Sequence, residues 1–225
     1  MLSKITRSIS RFFSSLRDPV SGLTHFFAAF VALGGLVALL VVGWGPPGKT
    51  LSLAIYGVSL VTMFATSAAY HMVKARPAVV EILRKVDHSA IYLLIAGAYT
   101  PYCINMFSGF WKWGMMAIIW SLALIGIGVK IFIIKTPRWL TAGVYLVMGW
   151  LSLAAIGEFL TALPVAAIVW LAAGGVFYTV GAVIYITKKL DFFPGKFGFH
   201  EVWHIFVILG ALAHFIGVLV YIAPV

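Results

Sequence analysis

Seven apolar stretches run the length of the chain, each parted from the next by a short polar or Pro/Gly-rich interval. They cover about 19–43, 50–72, 86–106, 111–134, 138–160, 164–186 and 198–222. Each is near the ~20 residues that an α-helix needs to cross the hydrocarbon core of a bilayer. The intervals carry turn chemistry. Gly45-Pro46-Pro47-Gly48 closes the first stretch, Thr161-Ala162-Leu163-Pro164 parts the fifth from the sixth, and residues 73–86 are polar and basic. Asp18 and Pro19 predict a helix start, with Asp18 as N-cap and Pro19 in the first helical position. Ahead of them, Leu2, Ile5, Ile9, Phe12, Phe13 and Leu16 form one stripe with Lys4, Arg7, Arg11 and Arg17 mostly off it. That pattern predicts an amphipathic helix over 1–17 lying on the membrane surface, followed by a membrane domain over 18–225.

Composition sharpens the class. With 63% hydrophobic and 10% charged residues, the chain is too apolar for a soluble domain. The expected fold is all-α, a seven-transmembrane-helix bundle. The net charge of +10 matters through its placement rather than as a signal for nucleic acid. With the N-terminus in the cytoplasm, Lys49 and Lys112 are the basic residues of the outer loops, and the other fourteen of the sixteen fall inside. Basic residues collect on the cytoplasmic side, so the expected orientation puts the C-terminus outside, with an inner (cytoplasmic) membrane as the expected location. The single cysteine, Cys103, excludes an intrachain disulfide or a thiolate metal cluster.

The candidate chemistry lies at one membrane level. Ionisable groups inside membrane helices are costly and mark functional sites. His200 and His204 fall one turn apart in the seventh stretch, at its cytoplasmic end. The same topology brings His71 to the inner end of the second stretch and Asp87 to the inner start of the third. Ser67 precedes His71 by one turn on the same face. Three imidazoles with water in the fourth position would make a zinc centre, His71, His200 and His204 being the ligands. Asp87 would hold that water as base or serve as a fourth ligand, and Ser67 would donate to the water or to a developing oxyanion. Hydrogen bonding across the bundle, without metal, is the competing account of the same residues. His25 and His214 are further candidates near this face, with plain helix packing as their alternative. His200-Glu201-x-x-His204 also matches the pattern of zinc proteases, in which Glu201 would be the base; otherwise Glu201 is a first-turn acid of its helix. A retinal protein is set aside, because the seventh stretch has no lysine for a Schiff base.

Ser67-x-x-x-His71, Asp87 and His200-x-x-x-His204 together resemble the motif set of the haemolysin III family, part of the progestin and adipoQ receptor superfamily. Asp87-His88-Ser89-Ala90-Ile91-Tyr92 through Pro101 is similar to that family's third-helix signature, and Gly149-Trp150-Leu151-Ser152 fits as well. The resemblance runs from about Asp18 to the C-terminus. It implies seven helices, a Zn2+ ion near the cytoplasmic side held by these ligands, and membrane lipids as partners. It also implies a lipid-linked role: hydrolysis of lipid amide or ester bonds, as in the related ceramidases, or membrane lipid homeostasis. A non-enzymatic sensor or haemolytic protein with structural zinc, and an intramembrane metalloprotease, stay open as alternatives.

Overall fold

A computed structural model describes residues 14–133, 136–193 and 197–225. All of the regular structure among them is helical but for one isolated bridge, Phe193 with Phe197, ahead of the last helix. The long helices are α1 (Pro19–Val42), α2 (Pro47–Met72), α3 (Pro77–Met106) and α4 (Gly109–Phe132). They are followed by α5 (Arg138–Trp150), a 3-10 turn (Leu151–Ala155), α6 (Ile156–Ala162), α7 (Val165–Thr187) and α8 (Phe199–Tyr221). Of the amphipathic helix expected over 1–17, residues 1–13 lie outside the described residues.

Proline sets several starts. α1, α2 and α3 each have proline in their first positions, where the missing N–H costs nothing. Six stretches among the described residues are long and apolar enough to cross a membrane, counting Arg138–Ala162 as one. The remaining long helix, α3, has 30 residues and begins well before the expected start at 86. Charge at Glu81, Arg84 and Lys85 marks a depth in the membrane rather than the end of a helix, and after Pro77 in the first turn no glycine or proline interrupts the chain up to 86.

The expected fifth span, 138–160, is broken. After Trp150 the chain tightens into the 3-10 turn and then resumes as α6. The break is caught by Tyr99 of α3. Its Oη accepts the N–H of Ser152 at 2.7 Å and sits 2.8 Å from the carbonyls of Met148 and Gly149. A membrane interior has no water to satisfy freed backbone groups, so a broken span needs such a partner.

The bundle closes as a ring. α2 packs between α1 and α3, α4 lies on α3, and α8 lies on both α7 and α1. α5 rests on α7 and only sparsely on α3, which leaves space inside the ring. Phe27, Phe30, Val31 and Val41 of α1 project outwards, as side chains facing lipid do.

Candidate metal centre

The inner ends of α2 and α8 carry the site. His71 lies in the last turn of α2, and His200 and His204 in the first two turns of α8. Their imidazoles converge through Nε2. His200 is 3.3 Å from His71 and 3.2 Å from His204. One ligand atom from each ring lies within 4.8 Å of both others.

These separations suit a shared cation. Nitrogens about 2.0–2.1 Å from a tetrahedral zinc ion are about 3.3–3.4 Å apart. A neutral imidazole has one acceptor nitrogen. If all three present that nitrogen inwards, one proton can bridge only two of them, whereas a metal ion accepts from all three. One ring orientation, that of His71, is supported from behind. His71 Nδ1 is 3.0 Å from Asp18 Oδ2, so its proton belongs on Nδ1 and its lone pair on Nε2. This hydrogen bond is the main force holding the Asp18 carboxyl below its usual range; burial opposes it, and Arg17 at 3.0 Å adds to it. Asp18 stands at the N-cap of α1 as expected, but its side chain makes no capping bond and is turned towards the histidine instead. Nothing in the local spacing reveals that role, because 53 residues separate the two partners.

Asp87 and Ser67 stand beside the trio rather than in it. Both are buried, and both line an apolar cavity of about 160 Å³ inside the ring. Met63, Ile91, Leu94, Ile95, Tyr145 and Val207 supply much of its wall. Asp87 also borders a second, polar basin of about 440 Å³ that reaches His71 and His200. The two spaces meet at Asp87, His88, Thr141, Tyr185 and Trp203. His88 Nδ1 lies 2.9 Å from the carbonyl of Arg84 and 3.5 Å from Asp87 Oδ2, a local partner on α3.

The remaining candidates separate clearly. Both oxygens of Glu201 are committed: Oε1 accepts Ser21 Oγ at 2.9 Å, and Oε2 accepts the N–H of Gly198 at 2.8 Å. Glu201 therefore fastens the start of α8 to α1. His25 stacks on His204 with ring centroids 3.9 Å apart, and it lines the apolar cavity. Its ring nitrogens are buried without a hydrogen bond among the described residues. His214 sits deeper along α8, where Nε2 donates to the carbonyl of Leu171 at 3.1 Å while the ring borders the same cavity.

The sequence model of the family described as haemolysin-III related matches residues 13–215. The chain is 36% identical over 215 residues to the hemolysin-3 homolog of Bacillus subtilis (strain 168), covering 95% of this chain and 98% of that protein. It is 33% identical over 225 residues to hemolysin-3 of Bacillus cereus, covering 98% and 99% of the two. A more distant likeness, 27% over 156 residues, links 61% of the chain to 34% of the adiponectin receptor protein of Drosophila melanogaster, in keeping with the progestin and adipoQ receptor superfamily. Matched by the family model from the start of α1 into the last turns of α8, and by these relatives along nearly its whole length, the chain belongs to the haemolysin III family.

Proposed function

We propose that this is a seven-span inner-membrane protein whose three histidines hold zinc and whose chemistry is hydrolysis of a lipid amide or ester. The observation that carries the reading is the convergence of three imidazoles, His200 Nε2 lying 3.3 Å from His71 Nε2 and 3.2 Å from His204 Nε2, beside an apolar cavity that also holds a buried acid. Counting α5, the 3-10 turn and α6 as one broken span, and α3 as a seventh span beside the other six, the helices alternate so that the N-terminus and the trio face the cytoplasm.

Zinc bound to these imidazoles would supply a Lewis acid and lower the pKa of a bound water towards ~7. The chain supplies the rest. The apolar wall around Ile91, Leu94, Ile95 and Val207 takes an acyl chain and keeps water away from it. Asp87 takes a proton from the attacking water as the water oxygen bonds to the carbonyl carbon. It then returns that proton to the leaving nitrogen or oxygen as the old bond breaks. Ser67, on the cavity wall, donates to the carbonyl oxygen as charge develops there. Asp18 fixes the tautomer of His71.

Purified protein supplied with lipid amides and esters tests this. Turnover that disappears in Asp87→Asn but persists in Glu201→Gln supports the reading. Loss of turnover in Glu201→Gln alone would instead support a protease-like base. One observation favours a second reading, in which the metal is structural. The trio ties α2 to α8, two helices that otherwise meet little. Loss of stability on chelation, with no hydrolysis of any lipid, would select it.

A further inference from the structure

The polar basin beside the trio is lined by four cationic side chains, Arg84, Lys85, Lys130 and Arg138. A cytoplasmic-facing rim of basic residues is ordinary for a membrane protein. Lys130 is not ordinary. It is only 6% exposed, and among the described residues its ammonium meets the hydroxyls of Thr136 at 2.7 Å and Thr141 at 2.8 Å. Among the described residues, no carboxylate lies within ion-pair reach of Lys130, Arg84, Lys85 or Arg138. The carboxylates that border the basin are turned elsewhere: Asp18 to Arg17 and His71, Glu201 to Ser21 and Gly198, and Asp87 towards His88. A buried ammonium with no carboxylate partner is costly and marks a candidate functional site.

We propose that this basin is a phosphate subsite, filled by the phosphoryl oxyanion of a lipid headgroup or of free phosphate. The donor set fits that chemistry. Arg84 and Arg138 offer planar guanidinium forks that match phosphoryl oxygens, and Lys130 offers a compact charge backed by two hydroxyls. Placement favours an amphiphile. Thr141 borders both the basin and the apolar cavity, so a phosphate held at Lys130 leaves an attached chain at the mouth of that cavity. Where the subsite deepens the hydrolase reading, and so rests on it, the substrate has an anionic head, with its carbonyl between the basin and the cavity.

Native mass spectrometry of the full chain in detergent tests the subsite without requiring turnover. The probes are phosphatidic acid, phosphatidylcholine with the same acyl chains, and inorganic phosphate as competitor. One charge-assisted contact of this kind corresponds to about tenfold in affinity or more. The wild-type chain is expected to retain phosphatidic acid about tenfold over phosphatidylcholine, and Lys130→Met and Arg84→Gln to bring the two to parity. Arg138→Gln, on the exposed rim, keeps the test open should the buried Lys130 substitution impair folding, and is expected to reduce the preference. Displacement of phosphatidic acid by inorganic phosphate places both sources at the site. Stabilisation by inorganic phosphate that Arg84→Gln abolishes, without lipid preference, identifies free phosphate as the occupant. Equal retention of both lipids with no response to phosphate overturns the proposal, as does a preference that survives all three substitutions. Hydrolysis of neutral lipids with no phosphate preference removes the subsite and leaves the hydrolase. A phosphate preference without hydrolysis does the reverse.

Discussion

At the scale of single residues, His71, His200 and His204 were legible because rare polar groups in apolar helices stand out, and because i, i+4 spacing fixes a shared face. Asp18 was not, since a residue that reads as a helix cap locally is claimed by a histidine on the next helix. Its substitution is informative. Asp18→Ala leaves His71 Nδ1 without its acceptor and is expected to weaken metal binding about 10–100-fold, as loss of a carboxylate behind a metal-binding histidine does. Competition with a chromogenic chelator reads that change directly. Glu201 gives the contrasting case. Its pattern matches a protease base, yet both its oxygens are spent on Ser21 and Gly198. Glu201→Gln should lower thermal stability by about 1 kcal/mol, in the range of a lost helix cap, and leave metal content intact. Loss of metal in that variant would move Glu201 into the site.

At the scale of elements, the apolar segments were legible to within a few residues, because hydrophobic length is what a bilayer demands. Two boundaries were not. α3 starts at Pro77 rather than 86, since charged residues end a hydrophobic run without ending a helix. The fifth span breaks at Leu151–Ala155, which holds no glycine or proline itself though Gly149 and Gly157 flank it; Tyr99, from another helix, stabilises the break by meeting its backbone. Tyr99→Phe removes that partner from three backbone groups. It should cost about 1–2 kcal/mol in unfolding experiments, with the metal site unaffected. Gly174 of α7 makes a similar point about packing. A Cβ there would run into the ring of His214, which is anchored to the carbonyl of Leu171. Gly174→Ala should therefore destabilise the α7–α8 pair, with circular dichroism melts as the measure.

At the scale of the whole molecule, the protein is a ring of helices around an apolar cavity, open at one end to a basic basin and a trio of imidazoles. The seven-span reading predicts termini on opposite faces. A reporter that works only outside the cytoplasm should be active when fused after Val225 and silent when fused before Met1. Activity at both ends would require an even number of spans. Everything proposed about chemistry depends on whether the three imidazoles share one ion. Element-resolved mass spectrometry of the purified chain, beside His71→Ala, His200→Ala and His204→Ala, measures this most directly. The account predicts one zinc per chain in the wild type and a large loss in each variant. A wild-type chain without zinc, or zinc content untouched by all three substitutions, would contradict it.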